Sequence, residues 1–166
     1  MKKILAILAA VVAVCACSQD AKVRRVVEKA VKAELAVPSS FKFVALDKDR
    51  DITVRNAMSV AITQAMDLYS YDLALRAQVV DSIARVCDRL EPVADSVLIS
   101  VYRLTYRADI PGKGRDFPEE AFVAVRPPAK LYGVVDSPSD LLNSCWWMVP
   151  ELVQTTEYAT ELMRGR

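Results

Sequence analysis

The sequence predicts an α+β protein in which helices pack on one face of an antiparallel meander sheet. Three observations lead there. A helix-period stretch opens the mature chain, a second and longer one follows it, and a run of short β-branched and aromatic segments separated by turn residues comes next. Two further helical signals close the chain. The 166 residues, 53% hydrophobic and 26% charged, suit one domain with its own core.

Residues 20 to 36 read as the first helix. Asp20 is placed to cap it, and Val23, Val27, Val31 and Leu35 recur every four positions with Ala30 beside them. Lys22, Arg24, Arg25, Lys29 and Lys32 fill much of the remaining surface, a solvated basic face that is also suited to anionic headgroups. Pro38 ends the helix, because the residue before a proline avoids helical angles. Phe41 to Leu46 alternates as a strand, Asp47 to Asp51 reads as a charged turn, and Ile52-Thr53-Val54 as a short returning strand.

Residues 56 to 91 carry two apolar stripes: Met58, Ile62, Ala65, Met66 and Tyr69, then Val79, Ile83, Val86 and Leu90. Ser70-Tyr71-Asp72 divides them, since Ser and Asp favour caps and turns. Pro92 closes this inserted helical segment. Ser96 to Arg107 then reads as a strand, with Leu98, Tyr102, Leu104 and Tyr106 on one face and Val97, Ile99, Val101, Arg103 and Arg107 on the other. Gly112-Lys113-Gly114 turns the chain, 121 to 126 returns, and 131 to 135 adds a last strand after Pro127-Pro128. Ser137-Pro138 starts a helix carrying Leu141, Leu142, Cys145 and Trp146, and Pro150 starts another.

Composition limits the chemistry. There is no histidine, so catalysis with a His base and His-ligated metal sites are excluded. Four scattered glycines do not make a phosphate-cradling loop, and a net charge of +1 argues against a nucleic-acid partner. No cofactor is expected. Ser39-Ser40-Phe41-Lys42 matches the Ser-x-x-Lys spacing of acylating enzymes, but that motif needs a helix to bring Lys onto Ser, and here it enters a strand. Asp47, Asp49 and Asp51 imitate the opening of a calcium loop, yet Ile52 and Met58 stand where its Gly and bidentate Glu belong. Adjacent Trp146 and Trp147 diverge by about 100° on a helix, one suited to the core and the other to the surface.

The first 17 residues give an address. Met1-Lys2-Lys3 is a basic head, Ile4 to Val14 is unbroken apolar sequence, and small residues lead to Cys17. That is the layout of a secretory signal peptide. Its eleven apolar residues would rise about 16 Å as a helix, too short for a bilayer core of about 30 Å.

Val14-Cys15-Ala16-Cys17 resembles a bacterial lipobox, with Cys15 unusual at the middle position. The resemblance implies removal of residues 1–16, diacylglycerol on Cys17, and N-acylation by a fatty acid such as palmitate. Residues 17–166 would then form a single α+β domain anchored through Cys17. Losing Lys2 and Lys3 from the 22 basic residues leaves 20 against 21 acidic. Two or three acyl chains make such attachment effectively permanent. Ser18, in place of the Asp seen in inner-membrane lipoproteins of enterobacteria, favours an outer-membrane lipid anchor, facing the periplasm or the surface.

A wider resemblance rests on Leu35-Ala36-Val37-Pro38-Ser39-Ser40-Phe41-Lys42-Phe43 and Val101-Tyr102-Arg103-Leu104-Thr105-Tyr106-Arg107-Ala108. These look like small bacterial lipoproteins of uncharacterised role, in which a helix precedes a Pro-x-Ser-Phe-Lys strand and a Tyr-Arg-rich strand follows. This chain departs from them by the insertion at 56 to 91, and no activity carries over.

The expected function is a non-enzymatic envelope module that binds a protein partner or has a structural role. The alternatives are a small-ligand cup, formed if helices 20–36 and 56–91 leave a pocket over the sheet, or a periplasmic enzyme or its inhibitor. With Cys15 removed and Cys17 lipidated, Cys87 and Cys145 remain in an oxidising compartment, and the even remainder favours a disulfide over two buried thiols.

Overall fold

The structure is a computed structural model that describes residues 19–68 and 71–155. The signal segment and Cys17 lie outside the described residues. The fold class is α+β, with a four-stranded sheet in the order β1-β2-β3-β4. Helix α1 spans 19–34. The strands are β1 (Lys42–Thr53), β2 (Val97–Ile110), β3 (Gly114–Arg126) and β4 (Lys130–Val135). Sequential neighbours pair, as an antiparallel meander requires, with Leu104 opposite Ala121 and Val123 opposite Val134. The chain gathers into two compact units, one of residues up to 50 with 99–136, the other of 51–98 with 137 onward.

In the first unit, α1 lays Val23, Val27, Ala30 and Val31 on Leu104, Tyr106, Ala108, Val123 and Val125 of β2 and β3. The helix stripe at spacings of four, three and one meets the alternate residues of each strand, so both periodicities close on one core. Phe41 and Phe43 extend the core on the β1 side. The Phe41 and Tyr106 rings stack 5.5 Å apart at 22°. A short 3-10 turn, Pro38–Ser40, links α1 to β1.

The expected charged turn at 47–51 is not found: Asp47 to Asp51 continues β1 without interruption. β1 is an edge strand, so its outer row of peptide groups meets water and charged side chains cost little there. Such charges also discourage pairing with a foreign strand. The extended backbone leaves no loop in which Asp47, Asp49 and Asp51 could wrap a calcium ion, and Asp49 instead binds the neighbouring Arg50 at 2.6 Å.

In the second unit the inserted segment is a helical hairpin, α2 (Val54–Leu68) and α3 (Leu73–Leu90). The division falls at the expected place, with the Asp72 side chain accepting the Leu75 N–H at 2.9 Å. Ala57, Met58, Ala61 and Ala65 of α2 are buried, as are Leu75, Val79, Ile83 and Val86 of α3. The two ends of the insertion meet. Val54 N–H donates to the Ser96 carbonyl at 3.1 Å and Arg55 N–H to that of Ala94 at 2.8 Å. The Arg55 guanidinium adds ion pairs to Glu91 and Asp95, each at 3.1 Å.

Ser137 caps α4 (Pro138–Asn143) by accepting from Asp140 N–H. Cys145 and Trp146 do not continue that helix, as the sequence suggests they would, but form a separate 3-10 turn, Cys145–Met148. The Ser144 hydroxyl donates to the Asp140 and Leu141 carbonyls, closing α4 just before it. Helix α5 begins at 150 and is described to 155.

Candidate functional site

Two places in the first unit bring side chains together in ways that bear on function. One is a groove of about 680 Å³ at the N-terminal end of α1. α1 contributes Gln19, Asp20, Ala21, Val23 and Arg24, β1 contributes Phe43, Leu46 and Lys48, and β2 contributes Tyr102. Val23, Phe43, Leu46 and Tyr102 give it an apolar floor, while Asp20, Arg24 and Lys48 set charges of both signs on its walls.

The Arg24 guanidinium is fixed by two contacts. Its Nε is 2.7 Å from Glu28 Oε1, and its centre lies 3.7 Å over the Phe43 ring. Lys32, further along α1, holds Glu28 at 3.5 Å and sits 4.6 Å over the Phe41 ring. The groove therefore presents an aromatic floor with charges of both signs on its rim, and its Arg24 is already paired with Glu28.

The other place is a polar joint at the opposite end of the sheet. The Ser40 hydroxyl donates to the Val37 carbonyl at 2.7 Å and accepts the Asp109 N–H at 2.9 Å. Asp109 Oδ1 accepts the Asp116 N–H at 2.9 Å. The Asp116 carboxylate accepts from Lys42 Nζ at 3.0 Å and Arg107 Nε at 3.1 Å. Arg107 also donates to the Asp116 carbonyl at 2.6 Å. The hydrogen bond from Lys42 and then the Arg107 guanidinium hold the Asp116 carboxyl below its usual range. Asp116 takes a left-handed backbone with φ of 50°, which Asp tolerates better than most residues.

This joint decides the role of the Ser-x-x-Lys match. The Lys42 ammonium is drawn to Asp116, and Ser40 rather than Ser39 supplies the structural hydroxyl. Tyr102 and Tyr106 face α1, whereas Arg107 turns to Asp116, so the tyrosines and arginines of β2 form no single patch. No motif in the sequence points to Asp116. Its only trace is the Gly112-Lys113-Gly114 turn before it, where Gly112 and Gly114 both take positive φ.

Cys17 lies outside the described residues. Cys87 and Cys145 are free and buried, not the bonded pair that the sequence favours. Each lies in apolar surroundings, Cys87 on the inner face of α3 and Cys145 fully enclosed at the start of its 3-10 turn. Burial pushes the Cys145 thiol up to about 11 and raises that of Cys87, so both stay protonated and unreactive at neutral pH. Trp146 lines a small crevice with Ala61, Gln64, Ala65 and Leu68, and Trp147 is exposed. Among the described residues no group of His, Cys, Asp and Glu could hold a metal, and no helix is long and apolar enough to cross a membrane.

Compared with known proteins, the chain matches no family model, no curated sequence and no solved structure.

Proposed function

We propose that this chain is a lipid-anchored protein of the bacterial envelope, held through Cys17, and that its folded part is a non-enzymatic module that binds a partner or has a structural role. The observation that carries the reading is the junction at its start. A basic head, an apolar run and Val14-Cys15-Ala16-Cys17 lead toward a helix that is already formed at residue 19. The engagement of the reactive-looking side chains supports the non-enzymatic part. Ser40, Lys42 and Arg107 are spent on the Asp116 joint, and burial keeps both thiols neutral.

Mass spectrometry of the N-terminus of protein extracted from envelopes tests the anchor. A diacylglyceryl and acyl adduct on Cys17 is expected, with Cys17→Ala leaving the chain unprocessed or released. Cleavage elsewhere or an unmodified Cys17 overturns it. Crosslinking in intact envelopes, followed by pull-down, then identifies the partner.

The groove favours a second reading, a small-ligand site. It opens between α1 and the β1–β2 face. Native mass spectrometry of the purified protein should then show a bound amphipathic small molecule that Phe43→Ala displaces.

A further inference from the structure

The cations of α1 fall into two sets. Arg24 and Lys32 are committed to Glu28 and to the rings of Phe43 and Phe41. Lys22, Arg25 and Lys29 make no ion pair with any described residue, and Lys22, Arg25 and Lys29 are all exposed. Their spacing of three and four sets them in one row along the helix, on the side away from Val23, Val27 and Val31. The acids of α1 lie elsewhere. Asp20 lines the groove, Glu28 sits between Arg24 and Lys32, and Glu34 is near enough to Tyr106 to act on its hydroxyl. The row is therefore positive along its whole length of about 10 Å.

We propose that Lys22, Arg25 and Lys29 form a docking surface for an anionic phospholipid bilayer, which lays α1 along the headgroups. This rests on the reading that Cys17 carries lipid. Gln19, in α1, is two residues from Cys17, so it lies within about 7 Å of the anchored residue. With Gln19 held there and α1 lying along the surface, all three cations would sit within the Debye length of about 8 Å at physiological salt. The β3–β4 turn adds to the field at the same end. Gln19 Nε2 donates to the Pro128 carbonyl at 3.5 Å, and Arg126 and Lys130 flank that turn. An anchor alone would leave the module free to tumble on its tether. The row gives it one preferred face.

The test uses residues 17–166 with Cys17→Ser, so that no acyl chain contributes, and phosphatidylcholine vesicles with or without one-third phosphatidylglycerol. Co-sedimentation should require phosphatidylglycerol and weaken as salt rises. Each cation near such a surface is worth roughly fivefold, so Lys22→Gln, Arg25→Gln and Lys29→Gln together should weaken binding about a hundredfold. Arg76→Gln, Arg85→Gln and Arg89→Gln on α3 remove the same charge elsewhere and should leave it within about threefold. Equal loss in both triple variants, or no preference for phosphatidylglycerol, overturns the proposal. Unchanged thermal melting in the exposed-row variant excludes misfolding as the cause. The mass of Cys17 from envelopes is read separately. A lipidated Cys17 without phosphatidylglycerol preference sinks the docking surface alone, and row-dependent binding with an unmodified Cys17 sinks the anchor alone.

Discussion

The Ser40 hydroxyl accepts the backbone N–H of Asp109 at 2.9 Å, across 69 positions of sequence. One small side chain thereby ties the entry of β1 to the far end of β2, while Ser39 beside it makes no such contact. Ser40→Ala should destabilise the protein by about 1 kcal/mol, since the Asp109 N–H loses its acceptor in a part-buried place. Ser39→Ala should be neutral. Urea denaturation of the two variants checks the difference, and a fluorophosphonate or β-lactam probe should label neither serine.

The Asp116 joint should be visible in acid. Its carboxyl is held below 3.8 by Lys42 first and Arg107 second, so the folded state favours the ionised form. That contribution is complete above the unfolded value and disappears as pH falls through the lower folded one. Asp116→Asn keeps a residue that tolerates positive φ but removes the charge. The melting-temperature gap between wild type and this variant should stay constant from neutral pH to about pH 5, then close as pH falls below 3.8.

Burial separates two large side chains. Leu104 is 0% exposed under α1, whereas Trp147 is 45% exposed. Leu104→Ala should cost about 2–5 kcal/mol through lost burial and the cavity it leaves. Trp147→Ala should stay within about 1 kcal/mol in the same denaturation assay.

Asp72 is the clearest cap in the chain. Asp72→Ala should cost about 1 kcal/mol by freeing the Leu75 N–H, and Asp72→Asn should recover most of it. Chemical denaturation of the three proteins orders them.

The thiols make a chemical prediction. In residues 17–166 with Cys17→Ser, a thiol reagent should react slowly with the native protein and rapidly with two thiols once denaturant is added without reductant. A denatured protein that accepts no alkyl group would mean a Cys87–Cys145 bond.

Much of this fold was legible in the sequence because its signals are local. The Val23-Val27-Val31 stripe, the Ser70-Tyr71-Asp72 division and the Ser137-Pro138 start each carry their reason within a few residues. The misses depend on side-chain bonds and on distant neighbours that periodicity does not record. Asp47 to Asp51 looks like a turn until β1 is known to be an edge strand, where charge is tolerated. Cys145 and Trp146 keep the helical period of Leu141 and Leu142, and periodicity does not record that the chain passes into a 3-10 turn at Cys145. The Asp116 joint joins residues 74 apart, and the groove brings Tyr102 to Lys48, 54 positions away, so neither had a linear signature.

The closure at the base of the helical insertion bears on how the sheet forms. β1 and β2 are neighbours, yet the whole of α2 and α3 separates them in sequence. Joining strands across a slack loop of about 40 residues costs roughly 2–3 kcal/mol more in chain entropy than a two-residue hairpin turn does. The Val54–Ser96 and Arg55–Ala94 bonds, with the Arg55 clasp on Glu91 and Asp95, bring the ends of that loop together. A hairpin that folds early thus shortens the effective contact order of the meander, and the strands register as though a tight turn linked them.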